Sequence, residues 1–275
     1  MNRNEKVFAC INLRKEVGLE IGPLDNPTIT STEGEIYYCD HMATEDLRKK
    51  YQHDPNVDIN KIVNVDYVWG EKTLREVVGS ENQFDYLIAS HVVEHIPDII
   101  GWFFEISEIL KVGGILSLIV PDMRYTFDCL RGESRPAELI EAYLLKLRRP
   151  SIRQVFDSHY SSALIETSTA WSETFDKKDL QKFHHHPRGV FELCREIQEK
   201  KMYYDSHCFT FTPESFREIL EVIIQLNLFD FKVEYFSPTQ LNGMEFYVSF
   251  KKLSEGIKSE ERTKVQLDSL SLILL

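Results

Sequence analysis

The chain has 275 residues, 43% of them apolar and 28% charged, enough to bury one large core or a core with a substantial insertion. Its formal net charge of −12, with no basic stripe interleaved with aromatics, disfavours a broad nucleic-acid surface. No apolar stretch reaches the roughly 20 residues that cross a bilayer. Residues 1–6 lead into too short an apolar run for a secretory signal, and the five scattered cysteines (Cys10, Cys39, Cys129, Cys194, Cys208) form no CxxC pair, so a reducing cytoplasm is the expected setting.

In chain order, β-branched and aromatic runs predict strands at about 17–21, 35–39, 61–65, 84–90 and 114–120. Between them lie three helical stretches at 44–52, 71–78 and 102–111. In the third, Phe103, Ile106, Ile109 and Leu110 recur at helical spacing and Gly113-Gly114 is expected to end it. This alternation predicts an α/β fold with a mostly parallel sheet covered on both faces. From 123 to 206 charged helical stretches (135–147, 190–201) flank a Ser/Thr-rich segment at 158–172, which reads as a helical insertion or lid after the fifth strand. Thr212-Pro213-Glu214-Ser215 starts a helix whose buried stripe is Phe216, Ile219, Leu220, Ile223 and Ile224. Two alternating runs, 229–236 and 245–250, form a hairpin around Leu241-Asn242-Gly243, so the sheet ends antiparallel. The tail, 254–275, is polar until its final Leu-Ile-Leu-Leu and reads either as a partner-binding helix or as a disordered end.

The most informative local pattern is Glu20-Ile21-Gly22 with Asp40 twenty positions after Glu20. An apolar strand stops at a carboxylate and a glycine, and the next strand ends in a second carboxylate. Parallel strands delivering these groups to one sheet edge make a nucleoside pocket, with Asp40 placed for ribose hydroxyls. Nicotinamide and S-adenosylmethionine sites share that logic.

Four pieces in order then resemble class I S-adenosylmethionine-dependent methyltransferases, in particular the type-11 group. They are Leu19-Glu20-Ile21-Gly22-Pro23, Asp40, the run Phe84 through Ser90-His91-Val92-Val93-Glu94-His95, and Leu110 through Gly113-Gly114 to Pro121-Asp122. With the terminal hairpin they cover about 1–124 and 205–253. The resemblance implies a seven-stranded Rossmann-like sheet with its last strand antiparallel, and S-adenosyl-L-methionine as cofactor. One departure stands out. Leu24 and Asn26 occupy places where the family's loop carries glycines; Asn tolerates positive φ and is expected to keep the turn, whereas Leu24 is the harder substitution.

The implied cofactor residues are Glu20, Gly22, Pro23, Asp40, Asp66, Tyr67, Ser90 and His91. Gly22 would admit the cofactor to the backbone, or simply make a turn. Glu20 would either face the cofactor or charge its loop, and Asp66 and Tyr67 end the third predicted strand, on the adenine side. The candidates for catalysis are His91 and His207 as bases, with Asp122 and Arg124 to orient a substrate or else to pair with each other. His95 belongs to a pattern shared across many substrates, which implies an architectural role. No metal is expected: the adjacent His184-His185-His186 would seldom point at one ion.

The leading expectation is methyl transfer to a small or sugar-like hydroxylated acceptor, a chemistry the resemblance links to bacterial cell-surface glycans or secondary metabolism. A cofactor-binding module without turnover and a nicotinamide-dependent oxidoreductase are the alternatives; the missing GxGxxG and the terminal hairpin disfavour the second. No nucleic acid or membrane span is expected, and the insertion would build either specificity or a homo-oligomer surface.

Overall fold

The strand and helix alternation resolves into a seven-stranded sheet in a computed structural model that describes residues 1–172, 174–184 and 186–273. The first half runs α1 (Arg3–Val7), β1 (Val17–Ile21), β2 (Glu35–Asp40), α2 (Thr44–Tyr51), β3 (Tyr67–Val68), α3 (Leu74–Val78), β4 (Phe84–Ser90), α4 (Ile99–Ile109) and β5 (Leu110–Pro121). Four helices follow: α5 (Pro136–Leu145), α6 (Ile152–Ser161), α7 (Thr167–Ala170) and α8 (Pro187–Lys200). The chain then closes with α9 (Pro213–Gln225), β6 (Phe231–Ser237), β7 (Glu245–Lys252) and α10 (Ser259–Ser269).

The strand order is β3-β2-β1-β4-β5-β7-β6, parallel except that β7 runs antiparallel to both of its neighbours. This is the Rossmann-like sheet expected from the sequence. Successive side chains of a strand face opposite sides. Leu87 and Ala89 of β4 therefore enter the larger core with α4 and α9, while Tyr86 and Ile88 enter a smaller one with Val7 and Ile29. The order reverses between β1 and β4, and a parallel sheet opens its ligand crevice at such a switch, beyond the carboxyl ends of the strands.

Several boundaries differ from the sequence reading, each for a local reason. The run at 61–65 has strand composition but makes no sheet ladder: the Val63 amide donates to Leu24 O (3.0 Å) and the Val65 amide to Thr44 Oγ1 (2.9 Å). The third strand is instead Tyr67–Val68, pairing with Cys39 and Asp40. Gly113 and Gly114 do not end α4, which stops at Ile109; Leu110 already pairs with Phe84, and Gly113, at φ +81°, lies where β5 shifts register. Within 123–206, α6 and α8 share a satellite cluster of Val155, Val190, Cys194 and Ile197. The Ser/Thr-rich segment is tied down by Trp171, which stacks on Tyr125 at 3.9 Å and donates to Gly243 O at 2.8 Å. In the tail, α10 docks on the sheet edge: Gln266 donates to Phe229 O (2.7 Å) and Phe231 O (2.9 Å), and Leu270 and Ile273 enter the main core.

Candidate active site

Three strand ends converge at the switch point. Gly22 follows β1 at φ +68° and donates its N–H to Cys39 O (2.9 Å), which sets it beside Asp40, the last residue of β2. His91 follows β4 at φ +53°, its N–H held by Ile119 O at 3.0 Å. Gly22, Asp40 and His91 line one cavity of about 400 Å³. Its remaining walls include Leu24, His41, Met42 and Tyr51, then Trp69, Gly70 and Glu71, then His95 to Asp98 and Trp102. Leu147, Arg148, Tyr203 and Asp205 close it from the 123–206 stretch.

The polar groups on this wall are oriented by their neighbours. Asp40 is buried, and its Oδ1 meets His41 Nδ1 (2.6 Å) and the His41 amide (2.7 Å), which leaves Oδ2 for a ligand. His91 Nε2 lies 2.8 Å from Glu245 Oε2, and its Nδ1 lies 3.6 Å from Glu94 Oε1. Burial alone would lower the His91 pKa, but the Glu245 hydrogen bond and the charges of Glu94 and Glu245 carry it above its ordinary value. Glu245 responds in the opposite sense: burial disfavours its charge, yet hydrogen bonds from His91 and Tyr247 hold it down at about 2.

The other residues singled out in the sequence lie elsewhere. Glu20 does not line the cavity; its buried carboxylate accepts the amides of Thr28 (2.8 Å) and Ile29 (3.3 Å) and so shapes the loop after β1. Pro23 is buried in that loop, where Asn26 N–H returns to Pro23 O at 3.0 Å. The left-handed residue there is Leu24 (φ +46°), not Asn26. Asp66 accepts the Tyr38 amide at 2.8 Å, and Tyr67 packs on Tyr37 and Phe84, both away from the cavity. Because the third strand begins two residues past the end of the expected run, the wall on that side is Trp69-Gly70-Glu71 instead. Ser90 turns to the other face and accepts from Arg3 Nη2 at 2.7 Å.

Asp122 and Arg124 form an internal pair (Nε–Oδ1 2.9 Å, Nη2–Oδ2 2.6 Å), and Thr239 Oγ1 also donates to Asp122 Oδ2 at 2.7 Å. Neither lines the cavity, so a substrate-orienting role for them is not supported. His207 sits behind the wall, its Nδ1 2.5 Å from Asp128 Oδ2 and its ring edge-on to His95 at 4.5 Å. Of the histidine triplet, His184 lies near His159 (5.6 Å between rings) and His186 caps α8, whereas His185 is outside the described residues. The sequence reading gave no role to Asp205 or to the tryptophan–glycine pair, and none to Glu94 beyond its place in the run that ends at His95. The tryptophan–glycine pair left a local signal, an aromatic and a glycine just past a carboxylate.

No family model matches the chain, and no curated protein matches it in sequence. Among solved structures, it is similar to an S-adenosylmethionine-dependent methyltransferase from Methanosarcina mazei (14% identity, TM-score 0.43, covering 90% of this chain and 97% of that one). It is also similar to one from Mesorhizobium loti (12% identity, TM-score 0.42, covering 90% of this chain and 98% of that one). A third likeness is to the carbon methyltransferase CurJ (13% identity, TM-score 0.41), where 90% of this chain spans only 51% of the other. Likenesses this distant do not bear on activity, which rests on the chain's own site.

Proposed function

We propose that the chain is an S-adenosylmethionine-dependent methyltransferase that methylates a small, hydroxylated, sugar-like acceptor at oxygen in the cytoplasm. The observation that carries this reading is the meeting of Gly22 and Asp40 in one cavity at the switch of the sheet. A carboxylate with a free oxygen suits the vicinal hydroxyls of a ribose, and the positive-φ glycine lets a ligand approach the backbone. Trp69 and Gly70 lie past the end of the adjoining strand β3, on the side where a base would rest. The volume of about 400 Å³ suits one nucleoside-sized ligand.

In the proposed reaction the acceptor oxygen attacks the sulfonium methyl in line. A C–O bond forms, the C–S bond breaks, and S-adenosylhomocysteine leaves. The donor is already activated, so positioning supplies much of the acceleration. The hydroxyl proton passes to His91 Nδ1, with Glu245 fixing the ring through Nε2. Arg148, Tyr203 and Asp205 make the wall contributed by the 123–206 stretch polar, which favours a hydroxylated acceptor and gives that stretch the role of a specificity lid. A cell-surface glycan precursor or a secondary metabolite fits that description.

The test is transfer of labelled methyl from S-adenosylmethionine to a panel of small hydroxylated acceptors. Wild type is expected to label at least one, with His91→Gln lowering kcat by about 10²–10⁴ and leaving S-adenosylhomocysteine affinity within a few-fold. Cofactor binding without transfer to any acceptor would instead favour a binding module.

A further inference from the structure

Glu94 is 1% exposed, and neither of its carboxylate oxygens has a hydrogen-bond partner among the described residues. A buried carboxylate left without donors is strongly unfavourable unless a cation or a proton compensates it. Its place is firmly set: the Glu94 carbonyl accepts the amides of Cys208 (2.6 Å) and Phe209 (3.2 Å), which clamps the segment bearing His207 against the turn bearing Glu94 and His95. His95 Nδ1 lies 3.0 Å from Asp205 Oδ1, and His207 Nδ1 lies 2.5 Å from Asp128 Oδ2. Each acidic partner holds the proton on Nδ1 and leaves Nε2 as a lone-pair donor, the arrangement found behind metal-bound imidazoles. One ligand atom from each of Glu94, His95 and His207 lies within 4.8 Å of the others. Ligands around a single ion at about 2.1 Å stand roughly 3.4 Å apart in a tetrahedron, so small side-chain adjustments would gather these three.

The geometry points to a divalent transition-metal site made by Glu94, His95 and His207, with Asp205 and Asp128 orienting the two imidazoles. Two imidazole nitrogens and one carboxylate suit zinc, cobalt, iron or manganese, whereas magnesium and calcium take oxygen ligands. Three protein ligands leave at least one coordination position open. His95 and Asp205 belong to the cavity wall, so the site borders the cavity. Resting on the methyl-transfer reading, an ion held by Glu94, His95 and His207 would supply Lewis acidity toward an acceptor hydroxyl, and His91, whose Nδ1 lies 3.6 Å from Glu94 Oε1, would take the proton.

The full chain, stripped with chelator and dialysed separately against zinc(II) and cobalt(II), is assayed for bound metal by mass spectrometry and for cobalt d–d absorption. Wild type is expected to retain about one equivalent of either metal, and Glu94→Gln and His207→Gln less than about a tenth. Circular dichroism and S-adenosylhomocysteine titration, run on the same metal-free samples, check that the variants fold. Retention by wild type no greater than by folded Glu94→Gln overturns the site. Wild type that binds S-adenosylhomocysteine but retains no metal after dialysis overturns the site alone, and wild type that retains metal but binds no S-adenosylhomocysteine overturns the cofactor reading while the site stands.

Discussion

Replacing Gly22 with alanine tests the conformation at the centre of the cavity. At φ +68° an L-residue pays about 1–2 kcal/mol for the left-handed region, and the added Cβ would meet Val92 Cγ2 at 3.0 Å. Alanine also narrows the unfolded ensemble, which returns about 0.4–1 kcal/mol. The net loss is therefore about 1 kcal/mol, or roughly 2–4 °C in Tm for a chain of this size. The second effect is on the ligand. Gly22 lines the cavity, and a methyl placed there is expected to weaken S-adenosylhomocysteine binding by about tenfold, equivalent to 1.4 kcal/mol. Thermal denaturation by circular dichroism measures the first quantity and calorimetric titration the second. An unchanged or higher Tm together with unchanged affinity would refute both the strain and the approach to the backbone.

Other substitutions read the supports of the fold. Lys252 is buried and donates to Asn82 Oδ1 (3.1 Å), Ser107 O and Leu110 O, so Lys252→Met should cost about 1–3 kcal/mol in denaturant unfolding by orphaning those acceptors. Arg124→Ala should destabilise by about 1–3 kcal/mol, because it strips the fully buried Asp122 of its ion pair, while leaving S-adenosylhomocysteine affinity within two-fold; a selective loss of affinity would restore a binding role for Arg124. Burial opposes the charge of Asp85, but Lys111 Nζ (2.8 Å) and the Val17 amide (2.9 Å) hold its pKa below the ordinary value. Its contribution to stability is therefore complete above the unfolded pKa of ~3.9 and is lost as pH falls through the lower folded value. Tm measured from pH 6 downward should accordingly fall less steeply for Lys111→Met than for wild type.

The parts of this molecule legible in sequence were those set by local pattern. The apolar runs of β1 and β2, with the glycine and carboxylate at their ends, needed only periodicity and turn chemistry to place Gly22 and Asp40, and the family resemblance added His91 at the end of β4. The segment at 61–65 misled because β-branched composition reports burial, not pairing. Its amides bond to Leu24 O and Thr44 Oγ1, and the resulting displacement carried the expected wall to Asp66 and Tyr67 instead of Trp69 and Gly70. The loop after β1 misled in another way, since tertiary context holds Leu24 and not the more tolerant Asn26 at positive φ. Glu94 and His207 are brought together by the pairing of the Glu94 carbonyl with the Cys208 and Phe209 amides, a contact across more than a hundred residues that leaves no local trace.

The proposed function stands on S-adenosylmethionine binding in the cavity lined by Gly22 and Asp40. Calorimetric titration with S-adenosylhomocysteine, wild type beside Asp40→Ala, measures that binding. Micromolar-range binding by wild type is expected, weakened at least about tenfold in the variant, since hydrogen bonds to a charged acceptor contribute about 1.5–3 kcal/mol each. Equal affinity in the two proteins, or tight NADH binding with none of S-adenosylhomocysteine, would overturn the assignment of this cavity to S-adenosylmethionine.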